Sequence, residues 1–317
     1  QDLIDDIAYT ALIIGKNGLS ISSARLMLLS DTYQLGMVPE RLFESLDYTR
    51  EVIERAEEFD KVLDEYAAII SHAEQPVFKL IGQCKKCEFF EKCIPKREEC
   101  TIFDIPRITE KQLQDLDAQG VFLARDIPES FRLTDTQTGP VACMRSGKMI
   151  IDAGLKKELK KIQWPAHYLD FETTQTAYPL YPHVTPYEKI PVQYSIHTCG
   201  ECGIVLHHKD YLADPARDCR KELAEKLIEE LDGNGSVLCY SSFERQIIEG
   251  LAKTYPDLKE PLTALVRRLV DLINCSKCVN HPEFRGSNSI KVVLPVLVPD
   301  MTYEGLPIAN GEDALVT

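Results

Sequence analysis

His167-Tyr168-Leu169-Asp170-Phe171-Glu172-Thr173-Thr174 decides the reading of this chain: an apolar run that ends in two carboxylates one residue apart. Side chains alternate faces along a strand, so Asp170 and Glu172 project from one side of a sheet, at its end, where two acids can share a divalent cation. A D-x-E pattern alone is common, and a solvated strand end also produces it. Context sharpens it: an apolar β run precedes, a loop with Tyr178, Pro179, Tyr181, Pro182, Pro186 and Tyr187 follows, and later segments can bring further acids to the same place.

Outward from this strand, a second strand is predicted at residues 191–197, a turn at 199–203 and a third strand at 204–207. Asp214-Pro215 is expected to cap a helix whose Leu223, Leu227 and Leu231 face inward, and Gly233-Asn234-Gly235 to stop it. A fourth strand at 236–240, a helix at 243–255 and a short fifth strand at 269–272 complete an α/β domain with a mixed sheet and flanking helices. Two-metal phosphoryl hydrolysis needs several acids around ions roughly 4 Å apart. Asp170 and Glu172 supply the first pair, Glu244 enters just after the fourth strand, and Asp271 stands at the fifth. Glu244 is equally the first-turn acid that a helix dipole favours, and Asp271 is equally a helix N-cap or structural acceptor. Arg285-Gly286-Ser287-Asn288-Ser289-Ile290-Lys291 offers free amides, Arg285 and Lys291 as a phosphate seat, with Ser289 at the helix start; simple capping by Ser287 or Ser289 reads the same residues. His281 is a candidate substrate contact, and Tyr178, Tyr181 and Tyr187 can either stack on unpaired bases or pack on their own domain.

The N-terminal half reads differently. Residues 6–14 have helical spacing, 15–18 break it, and 24–29 resemble a strand. Between Leu42 and Ile70 apolar residues recur every three or four positions, which predicts one long amphipathic helix with an acidic outer face. Cys84-Lys85-Lys86-Cys87 and Cys93, followed by Cys100, place four thiols among charged residues with little apolar sequence to bury them. C-x-x-C closes a tight turn around one ion, so Cys84, Cys87, Cys93 and Cys100 are predicted to bind iron–sulfur or Zn²⁺. Cys199-x-x-Cys202 with Cys275-x-x-Cys278 is a rival zinc pairing. Residues 103–162 read as a helical connector in which Thr109 caps a helix that Gly120 ends.

Composition bounds the function. The 317 residues are 44% hydrophobic and 27% charged, and no apolar run approaches the ~20 residues of a membrane span. A net charge of -14 excludes a protein that coats nucleic acid through bulk electrostatics, but not a nuclease whose acids hold cations. Eleven cysteines without an export signal fit a reducing, cytoplasmic compartment. Gln1 opens directly into helical sequence, which predicts a start inside a domain.

Two resemblances follow from these motifs. Helix, strand, long helix and the Cys84, Cys87, Cys93 pattern resemble the C-terminal part of RecB-like nucleases of the PD-(D/E)XK class, in which the last three cluster cysteines have this spacing. D-x-E in the first motif and an acid after Phe243 in the second resemble the DEDD (DnaQ-like) 3′–5′ exonucleases of the ribonuclease-H-like fold, with Glu244 where those enzymes have Asp and the last motif expected beyond Asp313. Together with Pro186-Tyr187 to His197 and Arg285 to Lys291, these motifs give a resemblance closer still to a family of bacterial proteins that fuse the two. The resemblance implies a RecB-like region at 1–80, a cysteine cluster at 81–102, the connector at 103–162 and an exonuclease domain at 163–317. It further implies a Mg²⁺- or Mn²⁺-dependent nuclease acting on single-stranded ends of DNA or RNA; a non-catalytic nucleic-acid binder is the other reading.

Overall fold

The computed structural model of the protein describes residues 2–74, 79–93, 99–303 and 305. Asp313, residues 94–98 of the cysteine segment and the end of the chain lie outside them. The chain divides into two compact units, residues 1–78 with 175–188, and residues 79–174 with 189–317.

In the first unit α1 (Asp2–Lys16) leads to β1 (Arg25–Leu29), which pairs antiparallel with β2 (Phe43–Asp47) from Arg25↔Asp47 to Leu29↔Phe43, and α2 (Thr49–Ser71) follows. The single long helix expected from Leu42 is therefore wrong at its start. Pro39 begins a one-turn 3₁₀ segment, residues 43–47 gain ladder hydrogen bonds from β1, and the Asp47 carboxylate accepts from the Thr49 amide at 3.0 Å and hydroxyl at 2.6 Å, which starts the helix only there. Ala8, Ala11, Ala24 and Val52 form the buried core of this unit. These are mostly small side chains, so α1 and α2 approach closely. Ion pairs Lys16–Asp60 at 2.5 Å and Arg55–Asp5 at 2.7 Å tie α2 to α1. Beyond them Tyr66 and Ile70 are exposed.

The second unit opens with α3 (Phe90–Cys93), α4 (Glu110–Asp117), α5 (Asp135–Ser146), β3 (Ile150–Ile151) and α6 (Gly154–Leu159). The predicted cap of α4 is present: Thr109 Oγ1 accepts from the Gln112 amide at 3.2 Å and Gln112 Oε1 from the Thr109 amide at 3.1 Å. Next come β4 (Ala166–Thr174), β5 (Ile190–Cys199), β6 (Val205–Leu212), α7 (Arg220–Glu230), β7 (Val237–Cys239), α8 (Phe243–Thr254), α9 (Lys259–Arg268) and β8 (Leu269–Asp271). Short α10 (Ile273–Ser276), β9 (Val279–Asn280) and α11 (Ile290–Leu297) close the unit. The main sheet runs β6-β5-β4-β7-β8, with β4/β5 and β5/β6 antiparallel and β4/β7 and β7/β8 parallel. The expected mixed α/β architecture is thus observed. Separately, β3 pairs with β9, so the connector is built into the same unit as the sheet.

Two expectations need correction here. β6 continues to Leu212, well past residue 207, because Thr198↔His207 through Gln193↔Leu212 stay paired although most of the strand is exposed and lacks an apolar alternation. Asp214 does not cap the next helix. Its carboxylate accepts from the Ala216 amide at 2.9 Å in a local turn, and α7 starts at Arg220, where Asp218 and Arg220 pair at 2.7 Å.

One face of the sheet carries Leu169, Phe171, Tyr194 and Ile196 against Leu223, Leu227, Ile248, Leu251 and Leu262 of α7, α8 and α9. Leu227 has no exposed surface. Truncation there leaves a cavity in close-packed surroundings, so Leu227→Ala is expected to cost about 3 kcal/mol, read from the denaturant midpoint. An unchanged midpoint would contradict this core. Gly235 has φ 102°, and a Cβ there would sit 1.9 Å from the Pro165 carbonyl oxygen, so only glycine admits the close approach that lets β7 start beside β4.

Candidate active site

Alternation along β4 turns Leu169 and Phe171 into the core, 4% and 3% exposed, and leaves Tyr168, Asp170 and Glu172 on the opposite side. The β4/β5 register shifts between Glu172 and Thr173, a bulge that ends regular pairing beside the acids. Tyr168↔Leu238 is the last β4/β7 pair, so Asp170 lies two residues past it, while Cys239↔Asp271 ends the β7/β8 ladder. After Cys239 the chain turns through Tyr240 and Ser241, whose φ of 155° is strained for a non-glycine residue, and enters α8 with Glu244 in its first turn. Asp170, Glu172, Glu244 and Asp271 therefore occupy the carboxyl ends of three neighbouring parallel strands, where α/β sheets place ligands.

Their electrostatics are those of crowded acids. Glu244 is 5% exposed, and its Oε2 has no hydrogen-bond partner among the described residues. Loss of hydration pushes its carboxyl up to about 7; its own backbone amide opposes this, and the charges of Asp170 and Asp271 add to it. Asp170 keeps one open side but is packed by protein on the other, and this desolvation raises it. Glu172 is raised by desolvation and then by Asp170. Burial, with Glu244 and Asp271 behind it, drives the Cys239 thiol up to about 12. An orphaned, dehydrated carboxylate oxygen among like charges is costly unless it is protonated or meets a cation. Hard oxygen donors of this kind suit Mg²⁺ or Mn²⁺. Among the described residues no three His, Cys, Asp or Glu side chains are drawn together tightly enough to hold an ion. Asp271 is engaged locally, its Oδ1 accepting from the Ile273 amide at 2.9 Å, as the structural reading of that residue expects.

The predicted substrate contacts divide. Ser289 holds the N-cap position of α11 without a side-chain cap, and His281 Nδ1 accepts from the Glu283 amide at 3.2 Å. Arg285 stands 3.9 Å from Asp104, and the Lys291 ammonium lies 5.9 Å from the Tyr303 ring centre. Tyr178, one of the loop tyrosines, lies with Gln175–Glu188 in the first unit, its ring 6.2 Å from Tyr33. The cysteines are dispersed in role: Cys84, Cys93 and Cys100 pack at the edge of an apolar core around Ile102, Phe103 and Leu113, and Cys87 is exposed. Cys84 Sγ accepts from the Ile81 amide at 3.4 Å, and the Cys100 thiol donates to the Pro282 carbonyl at 3.5 Å. Among the described residues these thiols are not drawn together as a metal-binding group.

Sequence reasoning passed over two residues that shape the site, Cys239 and Ser241. The Ser241-Ser242 pair ahead of an apolar helix was the available signal, because the Ser241 hydroxyl accepts from the Phe243 amide at 3.1 Å and sets the turn that buries Glu244.

Residues 167–289 match the sequence family described as a domain of unknown function (DUF2779). That span begins in β4, contains all four acids and ends at Ser289, ahead of α11. No curated protein and no solved structure matches the chain. No helix among the described residues is long and apolar enough to cross a membrane.

Proposed function

We propose that this chain is a divalent-metal-dependent phosphodiester hydrolase, a 3′–5′ exonuclease acting on single-stranded ends of DNA or RNA, with Asp170, Glu172 and Glu244 as the metal-holding acids. The observation that carries the reading is the buried Glu244 Oε2 without a partner, beside Asp170 and Asp271 at the ends of the parallel strands. The sheet order supports it, since three antiparallel strands continued by two parallel ones, with helices after the third and fourth, is the order of the ribonuclease-H-like fold. Asp170 and Glu172 are carried on a strand that β5 pairs through both positions, so their carboxylates are positioned with little ordering entropy left to lose. Glu244, held near neutrality, gives up a proton when a cation arrives, which couples ion binding to pH. A bound Mg²⁺ or Mn²⁺ would supply charge neutralisation at the phosphoryl oxygens and acidify a water for attack. Asp271 would hold its neighbour's position through the Ile273 amide rather than touch the ion.

The deciding measurement is incubation of metal-free protein with 3′- and 5′-labelled single-stranded DNA and RNA under Mg²⁺, Mn²⁺, Ca²⁺ or EDTA. Stepwise shortening of 5′-labelled strands with Mg²⁺ or Mn²⁺, and none with EDTA, is expected. Intact substrates under every ion would overturn the reading.

A further inference from the structure

Beside the acid cluster, within the same compact unit, lies a cavity of about 490 Å³ lined by Arg107, Tyr240, Ile273, Lys277, Asn288 and Ser289. Tyr240 directly follows the last residue of β7, and the Ile273 amide is the group that Asp271 accepts from, so the cavity opens at the ends of β7 and β8. In a chain of net charge -14 its lining carries two cations and no acid. Among the described residues neither Arg107 nor Lys277 is paired with a carboxylate, and the Asn288 amide and Ser289 hydroxyl make no hydrogen bond within the protein.

The walls are held with care. Gly286 has φ 69°, and a Cβ there would fall 2.0 Å from the Asp104 carbonyl oxygen, so residues 104–107 of the connector press directly on the segment that carries Asn288 and Ser289. Tyr240 donates to the Asn288 carbonyl at 2.8 Å, which ties that segment to the end of β7. Arg107 itself sits at φ 50°, a left-handed conformation that side-chain-bearing residues rarely adopt. Arg107 lines a space whose volume falls in the range of about 300–1,000 Å³ typical of sites for small ligands. A larger cavity of about 590 Å³ shares Arg107, Lys277 and Asn288 with the first and continues toward His281, but it also carries Asp135 and Asp152. Phosphate therefore belongs in the smaller one.

We infer that this cavity seats a phosphate of the substrate strand next to the one being cut, with Arg107 and Lys277 as its charged contacts and Asn288 and Ser289 as neutral donors. The inference rests on the nuclease reading and gives the connector a substrate-positioning role. Phosphate from a polynucleotide backbone and phosphate from a mononucleotide share this chemistry. The proposed polynucleotide substrate favours the backbone.

Binding is measured without turnover, in EDTA, by fluorescence anisotropy of a labelled single-stranded 12-mer, with unlabelled mononucleotide as competitor. For the double variant Arg107→Gln, Lys277→Gln, affinity should fall at least tenfold at moderate salt, and the slope of log K against log[salt] should shrink by roughly 1.4, about 0.7 per lost phosphate contact. Exchanging the two cations (Arg107→Lys, Lys277→Arg) should restore the slope. Competition by mononucleotide as strong as by the 12-mer would replace the backbone with a terminal phosphate and overturn the strand assignment. Equal affinity and slope in the double variant would overturn the cavity while leaving the nuclease reading intact if Mg²⁺-dependent shortening persists. Absence of both binding and shortening in the unaltered protein would remove the reading on which the cavity depends.

Discussion

Asp170→Asn is expected to lower metal-dependent strand shortening by about 10³-fold while the protein stays folded. Cation-assisted charge stabilisation is worth several kcal/mol, and each 1.36 kcal/mol is a factor of ten, so loss of a carboxylate that holds the ion removes about three such factors. Stability should not follow activity. Asp170 is raised by desolvation, and it is itself a source of repulsion for Glu172 and Glu244, so the neutral isostere relieves charge rather than creating a hole. Its neighbours Leu169 and Phe171 keep their core contacts, because they point to the opposite face. The check is a turnover comparison with Mn²⁺ on a 5′-labelled strand, paired with a thermal melt. Equal turnover by variant and unaltered protein would end the assignment of Asp170, and a collapsed melt would show a structural acid instead.

How much of this was readable beforehand differs by segment. β4, β5 and β7, with α8 between Glu244 and the next turn, were legible because each is an apolar run of the right length bounded by turn residues. The D-x-E pair at the end of β4 was legible for the same reason. β6 was cut short because its exposed face carries His207, His208, Lys209 and Asp210, and paired strands without an apolar face leave no period to read. β2 was lost inside a helical pattern because five residues of helix-compatible spacing cannot report that β1 lies beside them. Arg107 and Lys277 were illegible for a deeper reason. They are distant in sequence, and only long-range packing, the contact between Gly286 and Asp104 and the β3/β9 pairing among it, brings the connector to the sheet's end. For the cysteine segment the sequence left two readings open, since spacing that suits a metal also suits thiols at the margin of an apolar core.

The metal-free protein should lose stability as pH rises from about 4.5 to about 7, with Glu244 as the principal cause. Its carboxyl is raised from 4.5 to about 7, so across that window the folded chain holds a proton the unfolded chain has released. Stability from this group is complete below the unfolded value and lost as pH climbs through the folded one, a total of about 3 kcal/mol at 1.36 kcal/mol per unit. Asp170 and Glu172 are raised too and act in the same sense. Magnesium must reverse the trend. The ion competes with the proton for the same oxygens, so its stabilisation should be small at pH 5 and large at pH 8, by mass action on the folded state alone. Glu244→Gln keeps the shape, removes the titration and removes the charge that draws the ion. Its metal-free melting temperature should therefore fall far less steeply over the window, lie above that of the unaltered protein at pH 8, and respond weakly to Mg²⁺ at either pH. Melting curves at pH 5, 6.5 and 8, each with EDTA and with Mg²⁺, test the whole chain of cause. A Mg²⁺ shift of the same size at pH 5 and pH 8, or an unchanged pH slope in Glu244→Gln, would mean that the buried oxygen is not where the cation meets the protein.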